Sequence, residues 1–303
     1  MSRKVYFGWD KSGAWPVFRF FGRKLFHKKY PSYQLRQDIA NLTTYFLTEQ
    51  SKLQSSLSGI IAEQEKLKYI NIPAAVNHPS VFSKYKGCHA GQDVVVVGTG
   101  PTLDAYTPLP GAVHIGVNRA FMQPQLVLDY LVIQDRLNIP DADIINYRPG
   151  ACRKLFGMHY LVPPYSEQMV QACGAERYYF DASDPLHPDK HFPADIAHQP
   201  LMVFASTIFV AVQLALWTHP RRLYIVGCDC SLNGYCHAAE TGGRQELLLD
   251  PMLAGWRKLR DFADNFYPDV EIISVNPVGL KGIFRDMRMQ DGQLVDINER
   301  SES

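Results

Sequence analysis

Apolar and polar positions divide the chain into two regimes. Between residues 35 and 70, Ile39, Phe46, Leu53, Ile60 and Leu67 recur at every seventh position. Leu42 and Leu57 add part of a second row, which Glu49, Ser56 and Glu63 interrupt. The spacing predicts a helix with a weak heptad, used as a hairpin or dimer seam or laid singly on a core. Asn71-Ile-Pro-Ala is expected to end it, and Pro79 to Gly91 reads as a linker. From residue 92 the period changes. Short apolar strands are expected at 93–97, 112–117, 129–134, 157–162, 222–227 and 270–275. Between them, Ser206–Trp217 is apolar nearly all round, as a buried helix is, and a second helix covers about 251–266. Alternating strands and helices with mostly apolar strands predict an α/β protein with a doubly wound, mostly parallel sheet and an N-terminal helical extension. The expected organisation is an arm at 1–34, a helical extension and linker at 35–91, and the sheet domain at 92–303.

The first strand carries the most informative stretch, Asp93-Val-Val-Val-Val-Gly-Thr-Gly-Pro-Thr-Leu103. Four consecutive valines read as a strand buried on both faces. The glycines permit a sharp turn, and Pro101 suits the first turn of a helix. A glycine turn between a buried strand and a helix start is suited to phosphate. No Gly-Lys-Ser/Thr follows, so it is not a Walker loop. The third glycine of the dinucleotide fingerprint is also missing.

Composition narrows the class. The chain has 303 residues, 46% hydrophobic and 20% charged, with net charge +1. This is a folded protein and not a bulk polyanion binder. Six scattered cysteines fit a reducing compartment. With no signal peptide or apolar span visible, a cytoplasmic location is expected. Charge is uneven, however. Residues 1–36 carry nine Lys or Arg against Asp10, interleaved with aromatics such as Trp9, Trp15, Phe18 and Phe26. That composition suits a peripheral contact with an anionic membrane surface, or an arm packed on the main domain. No nucleic-acid module is recognisable.

Ligands of doubly wound sheets sit at the carboxyl ends of the strands. Polar residues gather there: the glycine turn, Asn118-Arg119, Gln134-Asp135-Arg136, Gly227-Cys228-Asp229-Cys230-Ser231, and Ser274-Val275-Asn276. Each alone reads as a cap or turn former. Together they mark one rim as a binding site.

On these motifs the segment 92–278 resembles the bacterial CMP-sialic-acid-dependent sialyltransferases. It is also similar to lipopolysaccharide-core Kdo transferases of the RfaZ type and to the MptE-like 6-hydroxymethylpterin diphosphokinases. The carrying pattern is GxGPTL after the first strand, Asn118 after the second, Ser206 opening the buried helix, then Val226-Gly-Cys-Asp229. The resemblance implies a Rossmann-like fold and an inverting glycosyltransferase. It would move an acidic sugar, Kdo or a sialic-acid relative, from a CMP-sugar donor to a lipopolysaccharide or other surface-glycan acceptor. It implies no cofactor and no required metal. Gly98, Thr99, Gly100, Pro101 and Thr102 would hold phosphate and ribose. Asn118 and Asp135 would stand near the cytidine and donor sugar, Asp135 being a departure from the family's asparagine. Ser206 and Thr207 would open an anion-favouring helix N-terminus. Asp229 would lie beside the nucleoside, and His237 where the family places a tyrosine that steadies the leaving phosphate. His237 and Asp229 are the candidate catalytic residues. Two departures stand out: Val203 replaces an arginine, and no histidine lies near Asp250-Pro251, where the family's base falls.

Other readings remain open at this level. A pterin diphosphokinase using ATP and magnesium needs several carboxylates, of which only Asp135 and Asp229 are placed. A non-catalytic nucleotide or glycan binder is the third class. Cys228, Cys230, Cys236 and His237 offer soft ligands, but CxC lacks the usual knuckle gap. Asp141 and Asp143 form a DxD pair in an expected loop, where coincidence is the plainer reading. The histidine- and proline-rich stretch 184–198 reads as a loop. Residues 237–250, containing Thr241-Gly-Gly243, form either a lid or a surface loop.

Overall fold

The computed structural model describes residues 9–10, 17–20, 23–24, 32–134, 139–161, 165–182, 186, 190–232, 234, 236 and 245–297. The chain forms two units, Met1–Glu63 and Gln64–Ser303. In the first, β1 (Trp9–Asp10), β2 (Val17–Phe20) and β3 (Arg23–Lys24) pair antiparallel. Helix α1 (Ser32–Lys66) follows and crosses the unit boundary near its end. It contains no proline, and Thr43, Thr44 and Thr48 return their hydroxyls to carbonyls four residues back. Apart from half-buried Leu35, its large apolar side chains from Ile39 onward are exposed, from 48% at Ile39 to 70% at Leu53. No helix among the described residues is long and apolar enough to cross a membrane.

The helical path does not stop at Asn71. A π turn over Leu67–Asn71 leads into α2 (Ile72–Phe82) and a 3₁₀ turn over Ser83–Tyr85. Pro73 lies in the first turn of α2, where its missing N–H has no helical partner to lose. The stretch expected as a linker is therefore partly helix and core. Phe82 and Tyr85 are buried, and the Trp217 indole N–H donates to the Phe82 carbonyl at 2.8 Å. His78, also fully buried, ties α2 to strand β8 (Glu176–Asp181): the Tyr179 N–H donates to its Nε2 at 2.8 Å.

Ten strands form the main sheet, in the order β13-β12-β11-β10-β4-β5-β6-β7-β8-β9. At its centre lie β4 (Asp93–Val97), β5 (Val113–Val117) and β6 (Tyr130–Ile133) on one side and β10 (Arg222–Val226) on the other. Beyond them are β7 (Arg153–Met158), β8 and β9 (Leu201–Met202), then β11 (Glu271–Val275), β12 (Arg285–Gln290) and β13 (Gln293–Asp296). Pairing is parallel throughout except for β12–β13. The four valines of β4 are fully buried and split between two cores: Val94 and Val96 face one, Val95 and Val97 the other. This is the two-sided burial that a central parallel strand requires. On the first face lie α2, α5 (Ile208–Trp217) and α6 (Gln245–Phe266). On the second lie α3 (Asp141–Asn146) and α4 (Glu167–Cys173). The architecture is the expected α/β doubly wound, Rossmann-like one.

The local corrections have physical causes. The fourth strand runs over Arg153–Met158, ahead of the expected 157–162. Its charged start hid it, although Lys154 is 2% exposed. The turns after β4 and β5 open 3₁₀ helices, Pro101–Ala105 and Asn118–Met122, rather than full α-helices. Asp141 and Asp143 lie in the first turn of α3, where carboxylates complement the helix dipole, not in a loop. From the 184–198 stretch, exposed Asp195 and His198 are hydrogen-bonded at 2.9 Å, while Phe192 and Ile196 enter the core.

Candidate functional site

Strand order reverses between β4 and β10. The chain builds outward from β4 to β9, and α5 then carries it back to β10 beside β4. A crevice at the carboxyl ends of these strands follows from that reversal. A cavity of about 150 Å³ lies there. Gly98, Thr99 and Gly100 line it after β4, Asn118 after β5, and Gly227 to Ser231 after β10. Ala205 to Ile208 bring in the start of α5, and Leu248, Met252 and Trp256 of α6 form an apolar wall.

The glycine turn is held from within. Gly98 N–H donates to the Val226 carbonyl at 2.8 Å and Gly100 N–H to the Gly227 carbonyl at 2.7 Å. The Thr102 N–H donates to Asp229 Oδ2 at 3.0 Å, and its hydroxyl donates to Oδ1. These contacts explain the glycines. A Cβ on Gly98 would stand 2.4 Å from the Gly227 oxygen, and one on Gly100 2.7 Å from the Asp229 carboxyl carbon. Three amides of the turn are thus engaged by the end of β10. Asp229, 6% exposed, is the clamp that closes β10 onto the turn.

Asn118 bridges three elements. Its Nδ2 donates to Thr207 Oγ1 at 3.2 Å, and the Gln134 N–H donates to its Oδ1 at 3.2 Å. The carboxamide thereby links the end of β6 to the start of α5. Thr207 is 4% exposed and accepts from Asn118, so its hydroxyl proton remains to donate elsewhere. The Phe209 and Val210 N–H groups bond back to the carbonyls of Ser206 and Thr207. The earlier residues, Ser206 to Ile208, line the cavity at the helix N-terminus, where the dipole is positive.

Backbone strain gathers on this rim. Asn118 (φ +44°), Ala205 (φ +59°), Cys230 (φ +43°) and Asn276 (φ +51°) are non-glycine residues in the left-handed region. Each such conformation costs on the order of 1–3 kcal/mol and persists where neighbours enforce it, commonly at binding sites. Asn276 has a structural reason of its own: its Oδ1 accepts from Met289 N–H at 2.9 Å and its N–H donates to the Met287 carbonyl, stitching β11 to β12.

The two cysteines of the cavity are neutral thiols. Burial raises the Cys228 thiol well above its usual value, with Cys230 and Asp229 adding to the rise. Burial likewise pushes Cys230 up to about 11. Cys236 N–H donates to the Thr99 carbonyl at 2.8 Å, bringing that segment against the turn. Among the described residues, no three His, Cys, Asp or Glu side chains are grouped to hold a metal ion.

Of the residues expected from sequence, Gly98, Thr99, Gly100, Asn118, Ser206, Thr207 and Asp229 line one cavity. Pro101 and Thr102 are not among its lining residues, and Thr102 is the partner of Asp229. Asp135 and His237 lie outside the described residues, as does most of the basic arm. Sequence reasoning missed the wall of α6, although Leu248, Met252 and Trp256 follow helical spacing. It also missed His159, Asp181 and Lys190, all buried and lying just beyond β7, at the end of β8 and in the chain after it. Asp181 pairs with Lys66 at 2.8 Å, and burial lowers the pKa of His159.

No family model matches the chain, and no curated protein is significantly similar to it. Among solved structures it is similar to the sialyltransferase CstII from Campylobacter jejuni in complex with a substrate analogue, CMP-3FNeuAc. Identity is 10% and the TM-score 0.36, over 60% of this chain and 80% of that one. A second is the sialyltransferase CST-II in complex with a trisaccharide acceptor and CMP, at 13% identity and TM-score 0.35 over the same shares. A likeness at this level specifies neither an activity nor a site.

Proposed function

We propose that the chain is an inverting glycosyltransferase that binds a CMP-linked acidic sugar in the cavity between β4, β10 and the start of α5. One observation carries the reading: the N-terminus of α5 opens into the reversal-point crevice beside the Asn118–Thr207 pair. Free amides, a positive dipole end and a hydroxyl donor suit a phosphate. The glycine turn, with three of its amides engaged by the end of β10, contributes mainly shape. The cavity of about 150 Å³ falls below the ~300 Å³ typical of small-molecule sites, so the described walls hold part of the donor.

In this reading an acceptor hydroxyl attacks the anomeric carbon of the donor. The bond from that carbon to the phosphate oxygen breaks, and CMP leaves with the electron pair. The α5 amides and Thr207 stabilise the charge that grows on the leaving phosphate. Asp229 commits both oxygens to Thr102, so its part is to hold the turn. With Asp229 so engaged, His237 and Asp250 are the candidates to accept the acceptor's proton. The acceptor is a lipopolysaccharide or other surface-glycan intermediate, reached from the cytoplasmic side of a membrane that the basic arm 1–36 contacts. No metal takes part.

Thermal stabilisation by a panel of CMP, CDP, UDP, GDP and ATP, each with and without magnesium, tests this. The expected result is a shift with CMP that needs no metal, lost in Asn118→Ala. Stabilisation by ATP with magnesium alone would move the assignment to the diphosphokinase. Silence to every nucleotide would remove both enzymes.

A further inference from the structure

Six exposed apolar residues on one face of α1 carry a symmetry that the helix alone does not need; half-buried Leu35 shares that face but stands outside the set. Ile39, Leu42, Phe46, Leu53, Leu57 and Ile60 are separated by 3, 4, 7, 4 and 3 residues, a spacing that reads the same in both directions. On a helix of 3.6 residues per turn these six fall within about 60° of arc, so they form one straight stripe. All six are exposed: 48% at Ile39, 58% at Leu42 and Phe46, 70% at Leu53, and 57% at Leu57 and Ile60.

We infer that α1 pairs with α1 of a second copy of this chain as an antiparallel, two-fold helix pair centred between Glu49 and Gln50. A two-fold interface requires that if residue i meets residue j, then j meets i. Reversing α1 about that centre satisfies the rule for all six residues, while Leu35 falls opposite Gln64. Ile39 meets Ile60, Leu42 meets Leu57, and Phe46 meets Leu53, each twice. The same register brings Arg36 level with Glu63 at both ends, the two standing on opposite flanks of the pair. At the centre it sets Glu49 opposite Gln50, whose carboxamide N–H can donate to the carboxylate.

Area and charge favour this occupant. At roughly 100 Å² of exposed apolar surface each, the six residues present about 600 Å² per copy. That is the upper end of what monomers leave exposed. Two copies together bury about 1,200 Å², the threshold of a stable interface. A lipid surface fits poorly: residues 34–66 hold three basic against four acidic residues, whereas helices lying on membranes are rich in Lys and Arg.

The full chain should run at twice the chain mass in light scattering across a wide concentration range. Leu53→Glu should make it monomeric, while Ser55→Glu, on the far face of α1, should leave the doubled mass unchanged. Register is read by cysteine cross-linking under mild oxidation, with linked peptides identified by mass spectrometry. Leu42→Cys mixed with Leu57→Cys should form a 42–57 cross-link between copies that neither variant forms alone. A monomer at every concentration, with helical circular dichroism intact, overturns the inference. So does a 42–42 cross-link from Leu42→Cys alone, which only a parallel pair brings together. A monomer that binds anionic vesicles through the stripe, and loses them in Leu53→Glu, also overturns it.

Discussion

His78 makes the stability of the α/β unit depend on pH in a calculable way. Its ring is fully buried between α2, β8 and the chain at 196–199. Nε2 accepts from the Tyr179 N–H at 2.8 Å, so the proton of the neutral ring sits on Nδ1, which faces the carbonyls of Ile196 and Gln199, each at 2.9 Å. Adding a second proton would set an Nε2–H against the Tyr179 N–H in a fully buried site. Burial accordingly lowers the pKa from 6.5 to about 4, against a smaller opposing effect of the two carbonyls. Above the unfolded value the ring is neutral in both states, and its contribution to stability is complete. As pH falls through 6.5, the unfolded chain takes up a proton that the folded chain refuses until about 4. The full interval corresponds to roughly 3 kcal/mol, of which about 2 kcal/mol is lost by pH ~5. Urea unfolding at neutral pH and at about pH 5 measures this in the wild type and in His78→Gln, which keeps a donor and an acceptor but does not titrate. The variant should be less stable at neutral pH yet lose about 2 kcal/mol less on acidification. Equal acid losses in the two proteins would refute the reasoning, as would an NMR titration placing His78 near 6.5.

Gly100→Ala should cost about 1–3 kcal/mol and weaken CMP stabilisation, because the added methyl meets Asp229 and the Gly227 carbonyl rather than a flexible neighbour; denaturant midpoints check it, and a neutral result would mean the turn relaxes freely. Ala205→Gly should raise stability by up to ~1 kcal/mol by relieving the left-handed conformation at φ +59°. With iodoacetamide near pH 8, exposed Cys88 should be alkylated well before Cys228 and Cys230, since a thiol pushed up to about 11 is only about one-thousandth thiolate there. Peptide mapping of the order of modification would contradict this if Cys230 reacted as fast as Cys88.

The elements that local pattern could reveal are those whose own residues impose them. Val94 to Val97 can only be a strand buried on both faces, and Ile208 to Trp217 only a buried helix. The strands that escaped notice begin with charges or are very short: Arg153-Lys154 opens β7, Glu176-Arg177 opens β8, and β9 is Leu201–Met202 alone. Pro73 and Pro79 made α2 look like the end of a helix. Burial of Phe82 and the Trp217 bond keep that segment in the core, and no local signal announces a partner 135 residues away.

The site divides along the same line. Residue types and strand ends, read from the sequence, placed Gly98, Asn118, Ser206 and Asp229 on one rim, because a parallel sheet sends all its carboxyl ends to one side. What each residue bonds to was decided only by the tertiary fold. The glycines of the turn are required by the Gly227 oxygen and the Asp229 carboxylate, brought up by a strand more than a hundred residues later. Asp229 became a clamp and Asn118 a bridge to Thr207 through bonds between distant segments. Backbone freedom is a property of the residue itself, whereas the need for it is set by whatever packs against that residue, and packing follows from the order in which the strands are laid down.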